Sequence, residues 1–237
     1  MKKREIEIAP SLICCDLCRT LDSVRQLEGL GIKRLHVDIL DGHFSPSMPI
    51  GLDMVKQLRK QTSLLFDFHL MTTRNEWFVE EALKIGASRI CFHLESEPHP
   101  EQLLKHIRQS GVEAGLALSP AIRPETLEYL TDDLDFVLIM LITPGYAGHA
   151  SEGIRPEAVA KVAKCRQWLG DHGKDIPILV DGRVSHQLVT ELVAAGADSF
   201  VAGSRCLFVP GENLADMLDK TQAAIARGLD FQKREME

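Results

Sequence analysis

No stretch of this chain stays apolar for long. The longest such run, Phe136 to Ile142, falls far short of the roughly 20 residues that cross a bilayer. The opening segment, "MKKREIEIAPSL", is charged and then strand-like, without the apolar centre of an export signal. A cytoplasmic protein with no membrane partner is expected. Basic residues are outnumbered, 27 Lys and Arg against 34 Asp and Glu, for a formal net charge of −7. That argues against a nucleic-acid surface. An anionic ligand would have to be met by a local patch of arginine and backbone amides. Cysteine is sparse, and its one CxxC, Cys15 to Cys18, has no second pair at zinc-ribbon distance. The six thiols read as small, mostly buried residues in a reducing compartment.

Linkers and low-complexity tracts are also missing, so the 237 residues read as one domain. Apolar, β-rich runs alternate with helical patterns. The strand-like runs are "EIEIAPSL", "KRLHVDIL", "LLFDFHLM", "SRICFHLE", "EAGLALSP", "FVLIMLITPG", "IPILVDG" and "SFVAGS". Helices are predicted near 18–30, 51–60, 74–85, 99–110, 124–131, 156–171, 185–195 and 212–227. Pro124 and Pro156 suit first-turn positions, and Gly31, Gly86, Gly111 and Gly196 suit helix C-termini. Eight β/α units, with strands apolar on both faces, predict an α/β fold of the (β/α)8 TIM-barrel type over residues 1–237, with 211–237 as a C-terminal helix and tail. The competing architecture, an open doubly wound sheet, lacks its GxGxxG after the first strand.

In a barrel the chemistry sits at the C-terminal ends of the strands. The polar residues there are Ser11, His36 and Asp38, His69, His93 and Glu95, Ser119, Thr143, Asp181 and Ser204. Residues i and i+2 of a strand share a face, so His36 projects with Asp38, and Asp67 with His69. Two imidazoles and two carboxylates, His36, Asp38, His69 and Asp181, suit one divalent ion such as Zn, Fe, Mn or Co. Asp67 is either a partner that orients a ligand or a polar residue of the barrel interior. "PGYAGH" (Pro144–His149, with Gly145 and Gly148), "DGR" (Asp181–Arg183, with Gly182) and "GSR" (Gly203–Arg205, with Ser204) end three consecutive strands. Barrels bind phosphate at such turns through backbone N–H groups.

Together "IAPSLICCD", "HVDILDGHFSP", "FHLM", "LIMLITPGYAGH", "VDGR" and "VAGSRCLF" resemble the ribulose-phosphate 3-epimerase family from about Ile8 to Phe208. The resemblance implies a metal-dependent 3-epimerase of a 2-ketose phosphate, D-ribulose 5-phosphate to D-xylulose 5-phosphate in the first instance. It implies that Asp38 and Asp181 are the acid–base pair, one on each side of a planar cis-enediolate, with coupled proton affinities. It further implies that Ser11 and His69 contact substrate, that Met71 and Met140 form an apolar cap, and that the protein is a homo-oligomer, dimer or hexamer. "SLICCDL", "HLMTTR" and "YAGH" are similar to the allulose-6-phosphate 3-epimerase branch, which leaves a six-carbon ketose phosphate as the alternative substrate.

Leu40, Thr143, Ala147, His149, Arg183 and Arg205 depart from the common family pattern, and all are expected near the phosphate and the distal end of the sugar. Arg183 either grips phosphate bidentately or pairs outside the pocket, and a positive φ would strain it as it would not strain glycine. Two readings from other classes remain. A phosphate-binding lyase barrel would carry a D-x-K lysine at strand three, where this chain has "DFH" (Asp67–His69). A catalytically silent scaffold barrel would tolerate loss of one carboxylate, yet both are present.

Overall fold

The computed structural model describes residues 5–149 and 151–236. Strand and helix alternate through β1 (Glu7–Pro10), α1 (Thr20–Gly29), β2 (Arg34–Leu40), α2 (Leu52–Arg59), β3 (Leu65–Met71), α3 (Asn75–Ile85), β4 (Arg89–His93), α4 (Pro100–Gln109), β5 (Glu113–Leu118), β6 (Phe136–Met140), α5 (Ala158–Asp171), β7 (Ile178–Asp181), α6 (His186–Ala194), β8 (Ser199–Ala202) and α7 (Leu214–Met236). All eight strands are parallel, in the order β1-β8-β7-β6-β5-β4-β3-β2. A single parallel bridge, Ser11 to His36, joins the two ends of that sheet. The (β/α)8 barrel expected from the alternation is the fold.

Strand parity sorts the side chains. Leu35, Val37, Ile39, Phe66, Phe68, Val137 and Ile139 face outward into the apolar layer beneath the helices and are fully buried. The inward positions of the middle strands carry Cys91, Ala117, Phe136, Leu138, Met140 and Leu179, a second cluster that fills the barrel. On β2 and β3 the inward positions are polar. The register sets His36 beside Asp67 and Asp38 beside His69. At the N-terminal end, Glu7 Oε1 accepts from Arg34 Nε at 2.9 Å and its Oε2 from Arg89 Nη1 at 2.9 Å, while Arg89 Nη2 donates to Asp67 Oδ2 at 2.8 Å. This charged layer closes the bottom of the barrel.

Two predicted elements differ. The helix predicted near 124–131 is a pair of 3-10 turns, Pro124–Leu127 and Thr131–Asp133. Asp132, Asp133 and Asp135 crowd what would be a helix C-terminus, where the macrodipole disfavours carboxylates. The last helix does not stop near 227 but runs through Gly228 to Met236. A Cβ at Gly228 would lie 2.7 Å from both Thr190 O and Val193 Cβ, so this glycine lets α7 pack closely on α6 and is not a stop signal. No helix among the described residues is long and apolar enough to cross a membrane. The thiols are less buried than expected: Cys91, Cys165 and Cys206 are buried, Cys14 and Cys15 half-buried and Cys18 exposed, and all six are free.

Candidate active site

A cavity of about 570 Å³ opens at the C-terminal end of the strands. Ser11, Asp38, Met71, Met140, Gly145, Gly148, Asp181, Gly182, Arg183, Gly203 and Ser204 all line it. His36 and His69 lie beneath its floor, with side chains 0% exposed, whereas Asp181 keeps 16% and Asp38 5%. The carboxylates therefore face a ligand and the imidazoles stand behind them.

The four predicted ligand residues converge. One donor atom from each of His36, Asp38, His69 and Asp181 lies within 4.8 Å of the others, drawn from β2, β3 and β7. Asp38 Oδ1 is 3.2 Å from both His36 Nε2 and His69 Nδ1. Asp181 Oδ2 is 4.0 Å from His36 Nε2 and 3.6 Å from His69 Nδ1. Ser11 Oγ donates to the other Asp38 oxygen at 2.9 Å. Asp67 is the partner of His36, with Oδ2 2.9 Å from Nδ1. With Nδ1–H donating to this carboxylate, the neutral ring presents a lone pair at Nε2, an atom buried without a hydrogen-bond partner. A buried nitrogen with nothing to bind is costly. Two imidazoles and two carboxylates around it form a donor set that fits a borderline divalent cation.

The carboxylates around His36 attract positive charge, whether a proton or a cation. Burial works against charge on His36, but the Asp38 and Asp67 carboxylates outweigh it and hold the imidazole well above its ordinary range. Burial likewise opposes charge on Asp38, and the two imidazoles overcome it and hold the carboxyl low. Asp67 is buried too, and is held low by Arg89 and His36. Asp181 moves the other way, raised by burial and then by the neighbouring Asp38 charge. The two carboxylates are thus pushed apart, the pattern that separates an acid from a base.

The glycine turns that end β6 to β8 are tightly built. Gly145 has φ 79°, and a Cβ on it would lie 2.0 Å from Ser45 Oγ. Arg183 has φ 50°, the strain foreseen for a non-glycine there. Its Nη2 donates to the carbonyls of Ala147 and His149, each at 2.8 Å. The arginine fastens the β6–α5 loop, a role outside both alternatives drawn from the sequence. Of the six departing positions, Leu40, Ala147, Arg183 and Arg205 line the cavity; Thr143 and His149 do not.

His93, Glu95 and Ser119, polar strand-end residues to which the motifs assign no role, stand beside His69. His93 Nε2 lies 2.9 Å from His69 Nε2, and His93 Nδ1 lies 3.2 Å from both Glu95 Oε1 and Ser119 Oγ. Burial pushes the His93 imidazole down to about 4. The signal was present: "HLE", which starts at the last residue of β4 and continues into a 3-10 turn, repeats the i, i+2 spacing of "HVD" on β2. Cys14, which also lines the cavity, carried no comparable signal.

The Ribulose-phosphate 3 epimerase family matches residues 7–207 of the chain. A ribulose-phosphate 3-epimerase of Rhodobacter capsulatus is 32% identical over 230 residues, spanning 94% of this chain and 98% of that protein. One from Escherichia coli strain K12 is 33% identical, spanning 93% and 96%. Among solved structures, a 3-hexulose-6-phosphate synthase superposes with a TM-score of 0.64 at 16% identity, covering 93% of this chain and 99% of that one. A thiamine phosphate pyrophosphorylase from Pyrococcus furiosus gives 0.63 at 15%, covering 94% and 97%. At that identity the two structures show a shared barrel and nothing finer. The sequence matches run nearly end to end through all three strands that converge on the floor of the cavity, and the chain belongs to the ribulose-phosphate 3-epimerase family.

Proposed function

We propose that this protein inverts carbon 3 of a 2-ketose phosphate, interconverting D-ribulose 5-phosphate and D-xylulose 5-phosphate. The observation that carries the reading is the meeting of His36, Asp38, His69 and Asp181 within 4.8 Å, on the floor of a cavity rimmed by glycine turns. Those four side chains would hold one divalent cation. When bound, it supplies Lewis-acid stabilisation of the negative charge that develops on the substrate oxygens.

The protein's own groups do the rest. Inversion requires a proton to leave one face of the carbon and another to arrive on the opposite face. Asp38, held ionised and fixed by the Ser11 hydroxyl, takes the proton in one direction. Asp181, whose proton affinity is raised by burial and by the Asp38 charge, delivers one from the other face. In the reverse direction the roles exchange. Met71 and Met140 give the cavity an apolar, polarisable wall that keeps water from the planar intermediate. Backbone amides of Gly148, Gly182, Gly203 and Ser204 meet the phosphate, with the charges of Arg183 and Arg205 beside them. His69 stands at the lyase lysine's position on β3, which favours epimerisation over a lyase reaction.

Metal-loaded protein should epimerise D-ribulose 5-phosphate, and Asp181→Asn should lose interconversion of the two epimers by about 10²–10⁴-fold. Unchanged interconversion removes Asp181 from the mechanism. The 570 Å³ cavity has room for one further carbon, so D-allulose 6-phosphate is the comparison substrate. A higher kcat/KM on the six-carbon sugar would assign the chain to that reaction.

A further inference from the structure

We propose that His93, Glu95 and Ser119 are positioning residues: a hydrogen-bonded train that fixes the tautomer and ring orientation of His69, and thereby sets the affinity of the four-residue site for a divalent cation. The proposal rests on the metal reading above and adds three residues to it.

The direction of every bond in the train follows from the one before. His69 turns Nδ1 toward Asp38 Oδ1 at 3.2 Å and Asp181 Oδ2 at 3.6 Å. To bind a cation there, Nδ1 must present a lone pair, so the ring proton must sit on Nε2. That nitrogen lies 2.9 Å from His93 Nε2. Two imidazole nitrogens at this distance share one proton, so His93 Nε2 accepts and the His93 proton is confined to Nδ1. There Glu95 Oε1 and Ser119 Oγ wait at 3.2 Å. The Ser119 hydroxyl in turn donates to Glu95 Oε1. The train runs across the barrel mouth from β3 to the ends of β4 and β5 and finishes on a carboxylate.

Water has no access to the middle of this train. His93 is 0% exposed, and the Phe44 ring packs over it at 4.7 Å between centroids. The other imidazole ligand is supported in the same manner by a shorter route. His36 Nδ1 meets Asp67, which Arg89 holds at 2.8 Å. Each imidazole thus has a carboxylate behind it, His36 directly and His69 through a second imidazole. Such partners orient a ligating imidazole and raise its basicity, and losing one typically weakens metal binding about 10–100-fold.

The test is cobalt(II) binding to metal-stripped full-length protein, read as visible absorption and as a dissociation constant in competition with a chelator. His93→Leu should weaken binding by about 10–100-fold and alter the cobalt spectrum. His93→Gln should restore most of the loss, since its carboxamide oxygen can accept from His69 Nε2–H. Glu95→Ala alters a half-exposed residue and leaves the core filled. It should weaken binding by about 3–10-fold and decides the question if the leucine variant does not fold. Affinity and spectrum unchanged in the folded leucine variant, or in Glu95→Ala, overturn the train while leaving the metal site standing. Wild-type protein that takes up no cobalt overturns the metal reading itself, and the train with it.

Discussion

Ser11 Oγ donates to Asp38 Oδ2 at 2.9 Å in a buried setting. A hydrogen bond to a charged group contributes about 1.5–3 kcal/mol. Ser11→Ala should therefore lower kcat by roughly 10–100-fold while KM changes little, as steady-state kinetics would show. Arg183 poses a different balance. Its φ of 50° costs about 1–2 kcal/mol, offset by two charge-assisted bonds to the carbonyls of Ala147 and His149. Arg183→Gly removes both the strain and the anchor. Thermal melting should shift by only about 1–3 °C, while KM for the sugar phosphate rises roughly tenfold as the loop loses its fastening, about 1.4 kcal/mol of binding. An unchanged KM would show that the loop's position does not matter to the phosphate.

The loop after β2 is held as a unit by one carboxylate. Asp41 accepts from the backbone N–H of His43 and Phe44, each at 2.8 Å, and from both the N–H and the hydroxyl of Thr73, at 2.7 and 2.8 Å. It ties this loop to the end of β3 and places Phe44 over His93. Burial alone would raise its proton affinity, but these bonds lower it below the ordinary 3.8. With the folded value depressed, its contribution to stability is present above the ordinary value and lost as pH falls through the lower folded one. Asp41→Asn should be less stable than wild type at neutral pH, and the gap should narrow as pH falls below the ordinary 3.8 and through the lower folded value; denaturant melts at several pH values would measure it. The same loop meets the β6–α5 loop where Ser45 packs on Gly145. Gly145→Ala should cost about 1–3 kcal/mol, because the new methyl lands on Ser45 and the backbone is left-handed. Elements also show where local patterns mislead. "PETLEYLTDD" has helical spacing, yet its acidic end breaks it into turns, and Gly228 looks like a terminator but marks where two helices touch.

Across the whole molecule the seam between β1 and β2 is the thinnest part of the barrel, with one backbone bridge. Glu7 on β1 reinforces it, reaching Arg34 on β2 and Arg89 on β4 at 2.9 Å each. Glu7→Ala takes a carboxylate from two arginines whose side chains are only 10% and 6% exposed; Arg89 keeps Asp67 but Arg34 loses its carboxylate partner, and the fold should be destabilised by about 3 kcal/mol. Loss of stability without loss of kcat per folded molecule is the expected result, since the pair sits at the end of the barrel opposite the cavity.

Much of this protein was legible in one dimension. The period-two alternation of "HVDILD" and "DFHLM" determines which side chains share a face, because a strand permits no other arrangement. Eight such strands separated by helical spacers determine a barrel, and a barrel determines which strand ends surround the mouth. His36, Asp38, His69 and Asp181 follow from that geometry. Tertiary structure alone decided that Asp67 supports His36, that His69 leans on His93, and that Arg183 fastens a loop. Those choices rest on rotamers and on neighbours from strands that sequence order does not pair atom by atom. A difference of one ångström or one ring flip would exchange one partner for another without altering a single residue of the pattern.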